Sequence, residues 1–154
     1  MSAPAPFTFS PTTRPIIAMK TPAPLVAVAR VLLALMFILA GLSKFGGLAG
    51  TAGYIASKGL PFPMLLAVAA GTLEVVGGVA LAVGFQARLA ALALALFTIV
   101  ITPIFHAFWA VPADQAMVNQ LMFMKNLSVV GGLLFVFALG AGPASFDARR
   151  GAAA

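Results

Sequence analysis

The chain has no cysteine, one histidine, one tryptophan and three acidic residues among its 154. Without cysteine it forms no disulfide, thiolate metal site or iron–sulfur cluster of its own. One histidine rules out a bis-histidine haem built from this chain alone. A His/Met haem stays open by arithmetic, since there are seven methionines. Methionine is more often a gap-filler between packed helices. One histidine with one nearby acid is too few for a metal site. No Walker loop, dinucleotide fingerprint, hydrolase elbow or HExxH pair is present. No haem, metal or nucleotide is therefore expected from this chain.

Charge is also scarce. Charged residues make up 8% of the chain and hydrophobic ones 62%, where soluble domains carry about 25% charge. A water-soluble fold of this size has no means of hiding so much apolar surface. Four runs are long and apolar enough to cross a bilayer: Pro24–Ser43, Pro63–Gly84, Arg88–Trp109 and Leu121–Ala141. About 20 apolar residues span ~30 Å of hydrocarbon as a helix. The sequence predicts an all-α polytopic membrane protein, a bundle of four transmembrane helices in the lipid bilayer. The net charge is +6, but the basic residues stand singly at run ends. With no basic patch and no interleaved aromatics, nucleic acid is not a partner.

Residues 1–23, with their repeated prolines, read as a disordered tail. Residues 24–147 form the transmembrane domain, and 148–154 a short cytoplasmic tail. The first run is too long for a cleaved signal peptide and contains Arg30. Met19 is an alternative start to Met1. Arg14, Lys20, Arg30, Arg88, Arg149 and Arg150 fall on one side of the bundle; Lys44, Lys58 and Lys125 fall on the other. The positive-inside rule then puts both termini in the cytoplasm of a bacterial inner membrane. The outer side would carry two loops, Lys44–Phe62 and Ala110–Gln120. The connection at Gln86–Arg88 would be a tight inner turn.

"LEVVGGVAL" at Leu73–Leu81 matches "LSVVGGLLF" at Leu127–Phe135, and Ala29–Arg30 matches Ala87–Arg88. Either two pseudosymmetric hairpins or chance likeness between apolar stretches accounts for this. Small residues mark close helix contacts in membranes. Ala67, Ala70, Gly71, Gly77 and Gly78 share the helix face of Glu74. The carboxyl should therefore point into the bundle, and Gly131 and Gly132 should make the corresponding contact on the fourth helix.

At 1.5 Å per residue, Glu74 lies about 15 Å from either surface and Arg30 about 9 Å from the inner one. Lys44, His106 and Lys125 lie toward the outer side. Intramembrane ionisable groups are expensive, so these five positions are where function belongs. Glu74 reads equally as a proton-carrying acid or as half of a buried ion pair with Arg30 or Lys125. Arg30 reads first as snorkelling and second as turning in toward Glu74. Lys44 and Lys125 read as snorkelling or as pocket residues, with Asn126 and Ser128 adding polarity beside Lys125. His106 lies on one stripe with Thr98, Thr102 and Trp109, bent by Pro103. It reads as an interfacial residue first and a catalytic one second. Asp114 reads as a solvated loop residue, and Asp147 as a surface or helix-end charge.

The order of these elements is Arg30, "FILAGLSKF", "GLPFP", "GTLEVVGGVALAVGFQAR", His106, Lys125, "VVGGLLF" and "GPASFD". It resembles the DoxX family of small four-helix bacterial membrane proteins. Members are similar to the small membrane subunit of thiosulfate:quinone oxidoreductase. The resemblance implies that Arg30, Lys44, Glu74, His106 and Lys125 are the family's polar positions.

A redox-associated subunit is the leading expectation, holding a quinone or small anion in a polar pocket open to the outer leaflet. Glu74 and His106 would move protons. Lys44, Lys125, Arg30 and Trp109 would hold the ligand. Quinone reduction moves protons with electrons, so an acid and a histidine are the groups it needs. No electron carrier is encoded, so a redox partner protein would supply electrons; a homo-oligomer is compatible with this. A proton-coupled transporter or channel and a non-catalytic scaffold are the alternatives.

Overall fold

A computed structural model describes residues 22–151. The expected N-terminal tail and the alternative start at Met19 lie outside the described residues, apart from the last two positions of the tail. Among these residues six α-helices follow one another: α1 (Ala23–Gly46), α2 (Leu48–Ser57), α3 (Pro63–Val83), α4 (Ala87–Phe105), α5 (Ala113–Leu139) and α6 (Phe146–Gly151), with a 3₁₀ turn at Phe108–Ala110. No strand occurs among the described residues. Four of these helical stretches are long and apolar enough to cross a membrane: Ala23–Gly46, Pro63–Val83, Ala87–Ala110 and Ala113–Leu139. The exterior is apolar, with Leu32, Phe135 and Leu139 more than half exposed. That is the surface a bilayer requires.

Local chemistry sets the helix ends. Pro24 and Pro63 sit in the first turns of α1 and α3, where a missing N–H costs nothing. α3 stops at Gly84, whose φ of 71° suits glycine. The Phe85 N–H then folds back onto the Ala80 carbonyl at 2.9 Å. Pro103 lies inside α4, which ends two residues later.

α1 packs on α3, α4 on α5, and α3 bridges to α4, while α1 and α5 touch sparsely. Two antiparallel hairpins therefore make the bundle. Their shared core is Ala34, Phe37, Leu81, Ala91, Leu94, Ala95 and Leu133.

Two expectations about connections need correction. The outer segment expected as a loop from Lys44 to Phe62 contains α2, whose Ala52 and Ile55 pack on Ala67 of α3. α5 begins eight residues before the apolar run does, so Asp114, Gln115 and Asn119 are helical. Asp114 sits in the first turn, where its charge complements the helix dipole. The expected C-terminal tail is helical through Gly151.

Candidate functional site

α1 turns one seam toward α3. Arg30, Ala34, Phe37 and Gly41 are buried at spacings of four, three and four, and Lys44 follows three further on. Both cations of α1 therefore lie on the face that meets protein. α3 answers with Ala67, Gly71, Glu74, Gly77, Gly78 and Leu81, all buried. The backbones approach closely. A side-chain carbon on Gly41 would meet the Gly71 carbonyl oxygen at 2.8 Å. One on Gly78 would meet the Ala34 carbonyl oxygen at 3.2 Å.

Glu74 points into this contact, as its neighbours predicted, and is 4% exposed. Its partner is neither Arg30 nor Lys125. The Lys44 Nζ donates to Glu74 Oε2 at 2.6 Å, with the lysine side chain 26% exposed and the glutamate side chain 5%. A buried carboxylate needs a paired charge. Lys44 reaches it because Gly41, one turn earlier, brings α1 against α3 at that level. The lysine neither snorkels freely nor stands alone.

Arg30 serves the opposite end. It is 5% exposed and neither snorkels nor meets Glu74. Its guanidinium donates to the Ala82 carbonyl at 3.2 Å, to Ala144 at 2.9 Å, and to Ala141. These hydrogen bonds tie the chain after α5 back onto α1 and α3. Gly84 leaves room for them: any side-chain carbon there would strike Ser145 and crowd the guanidinium. Asp147 completes the clasp. Its Oδ1 accepts the Gln86 N–H at 2.8 Å and its Oδ2 the Ala87 N–H at 2.9 Å. It thus caps α4 from a distant part of the chain. The closing "GPASFD" motif explains itself as this clasp.

The remaining candidates lie at the outer ends of α4 and α5. His106 caps α4, with φ −128° and ψ 38°. Asn119 lies beside its imidazole, and Lys125 and Lys58 are the cations whose charge it feels. Lys125 is exposed and absent from the Glu74 pair. Trp109 leaves the expected stripe, because the helix ends before it. It is 61% exposed and packs edge-on against Phe108 and Phe123 at centroid distances of 4.9 and 5.7 Å. That suits an interfacial aromatic better than a ligand contact.

Sequence reasoning undervalued two polar groups. Asn126, read only as polarity near Lys125, is buried and donates to Thr102 Oγ1 at 3.0 Å. Thr98 and Thr102 turn their hydroxyls back to the Leu94 and Thr98 carbonyls at 2.7 and 2.6 Å. Tyr54 of α2 escaped notice. Its hydroxyl donates to the Phe105 carbonyl at 3.4 Å, one of the acceptors α4 leaves free at its end. The helical spacing of Asn126 to Val130 and Leu133 was the available signal for the first; the second had none.

Three surface grooves lie away from the Lys44–Glu74 pair. One of ~550 Å³ runs between α2 and the start of α3. Another of ~440 Å³ lies beside Phe85 and Phe146. A third of ~430 Å³ separates α1 from α5. All are mainly apolar, and none is lined by Glu74, Lys44, His106 or Lys125. The outer polar pocket expected to gather these residues is not among them.

The fold and its inward charges define a four-span membrane protein with one buried intramembrane ion pair among the described residues. The DoxX family model matches residues 25–107. The chain is 35% identical to inner membrane protein YphA of Escherichia coli K12 over 81% of its own length and 89% of that protein. It is 43% identical to inner membrane protein YqjF of the same organism over 79% of its length and 88% of that protein. No solved structure matches. The chain belongs to the DoxX family and is an integral inner-membrane protein.

Proposed function

We propose that this protein is a redox-associated membrane subunit whose Lys44–Glu74 pair meets a quinone. The carrying observation is the pair itself. Glu74 is almost wholly enclosed, while Lys44 keeps a quarter of its side chain exposed. An intramembrane acid is costly and belongs by default to function. The ammonium offers the polar contact for a quinone carbonyl arriving from the lipid. Phe45, whose ring lies against Gly71, supplies an apolar wall next to it. Reducing a quinone to a quinol takes two electrons and two protons. A partner protein supplies the electrons. Lys44 gives one proton to the near carbonyl oxygen, Glu74, protonated from outer-side water, returns it to Lys44, and the second proton reaches the far carbonyl oxygen from outer-side water. His106 and Asn119 stand toward the same end of the bundle, a second proton-handling station near the surface. A small anion would use the same ammonium. The described chain begins and ends at the Arg30 end, and the excess of Lys and Arg there supports a cytoplasmic placing of that end.

The test is a gentle-detergent pull-down with lipid extraction and mass spectrometry, run on the wild type and on Glu74→Gln. A quinone and a dehydrogenase that co-purify with the wild type, with quinone-linked turnover lost in a folded E74Q protein, support the proposal. Their absence across several detergents overturns it. A scaffold role is the second reading, favoured by the position of the pair at the tightest α1–α3 contact. Loss of folding alone in E74Q, with no quinone or dehydrogenase held by the wild type, selects it. A pH-coupled flux lost in E74Q selects a transporter.

A further inference from the structure

The groove between α1 and α5 has an apolar floor and a cationic end. It runs from Leu25 to Leu33 on α1, about 12 Å of helix, and is walled on α5 by Phe135 and Leu139. Its floor is Gly132. Arg30 closes one end, with its guanidinium turned to carbonyls and its charge offset, without direct contact, by Asp147. Arg88 lies at that end as well, its Nε 3.5 Å from where a side-chain carbon on Gly140 would sit, and Gly140 lines the groove. Arg30, Arg88, Arg149 and Arg150 cluster at this end of the bundle against a single described acid, Asp147. Both oxygens of Asp147 are committed to the start of α4. The end is strongly positive, and the groove beneath it is greasy and about as deep as part of an acyl chain.

The geometry points to a bound anionic phospholipid, with one acyl chain in the α1–α5 groove and its phosphate held by Arg88 beside Arg30. Charge complementarity selects this occupant. A neutral lipid would leave the exposed Arg88 unmatched, and a second copy of this chain would bring the same positive end against itself. Basic groups near a membrane surface attract acidic headgroups at about 1 kcal/mol each, or about fivefold in affinity. The groove is separate from the Lys44–Glu74 pair, so this inference stands or falls apart from the quinone proposal.

Native mass spectrometry of the full chain, stripped in neutral detergent and titrated with phosphatidylglycerol or phosphatidylcholine of identical acyl chains, tests it. One phosphatidylglycerol should bind at least fivefold more tightly than phosphatidylcholine, and Arg88→Gln should remove about fivefold of that preference. Gly132→Leu should reduce binding of the acyl chain, because alanine-sized growth there only reaches Leu33 at 3.4 Å and leucine projects further. Phosphatidylglycerol carrying a photoreactive acyl chain should label Leu33 and Phe135 in the unaltered protein, which keeps the site testable if G132L does not fold. Excess inorganic phosphate should leave the lipid in place. Equal retention of the two lipids, labelling elsewhere, full displacement by phosphate, or a lipid-free dimer overturns the assignment.

Discussion

Val75–Gly78 on α3 and Val129–Gly132 on α5 carry the same four residues, Val-Val-Gly-Gly, in opposite surroundings. On α3 the glycines are buried, and a side-chain carbon on Gly78 would press on Ile38 at 2.8 Å. On α5 a side-chain carbon at Gly131 would meet nothing, and one at Gly132 only the tip of Leu33. The close contact expected of Gly131 and Gly132 is therefore absent. The preceding residues diverge in the same way. Glu74 is buried in an ion pair, while Ser128, its counterpart, is exposed and bonds to its own helix at the Met124 carbonyl. Arg30 is enclosed by carbonyls, and Arg88 is exposed. The α1–α3 hairpin thus holds the buried charges and the close backbone contacts. The α4–α5 hairpin holds neutral buried polarity in Thr98, Thr102 and Asn126. Close approach and buried charge go together, because glycine lets one helix deliver a cation to a carboxylate on the other.

That contrast can be broken by substitution, measured as unfolding in mixed detergent. Lys44→Met leaves Glu74 buried without its cation. It should cost about 3 kcal/mol, the low end for breaking a buried pair because Lys44 is partly exposed. Adding Glu74→Gln should restore much of that loss. Gly41→Ala should cost about 2 kcal/mol by overpacking against Val75 and the Gly71 carbonyl. Asp147→Ala should cost about 1 kcal/mol by uncapping α4 and should loosen the C-terminal clasp, seen as faster proteolysis after Leu139. Asn126→Ala should cost about 0.6 kcal/mol, the mean for a hydrogen bond between membrane helices. Gly131→Ala, the matched control to Gly41→Ala, should change stability by less than about 0.5 kcal/mol. Equal effects at Gly41 and Gly131 would erase the comparison.

Most of the architecture was legible in the chain. Four apolar runs gave four spans, because bilayer thickness dictates length whatever the tertiary contacts. The small-residue face around Glu74 gave its inward direction, since only close packing explains glycine at those spacings. What escaped was pairing. Sequence depth estimates placed Arg30 and Lys125 as partners for Glu74, but a lysine near a helix end reaches several ångströms along its stem, and Gly41 decided which helix came near. The clasp joins Arg30 to carbonyls 111 and 114 positions away and Asp147 to amides 61 and 60 positions away, and no local pattern announces such contacts. α2 was invisible for a different reason. It is ten residues long and owes its form to packing on α3 rather than to a periodic stripe.

The most direct measurement of the central claim is the double-mutant cycle between Lys44→Met and Glu74→Gln, read from unfolding free energies of the full chain in one detergent. An inward carboxylate held by Lys44 predicts a coupling of about 2 kcal/mol or more between the two sites. Additive effects, with no coupling, would mean that the two side chains do not meet inside the membrane, and would contradict the account.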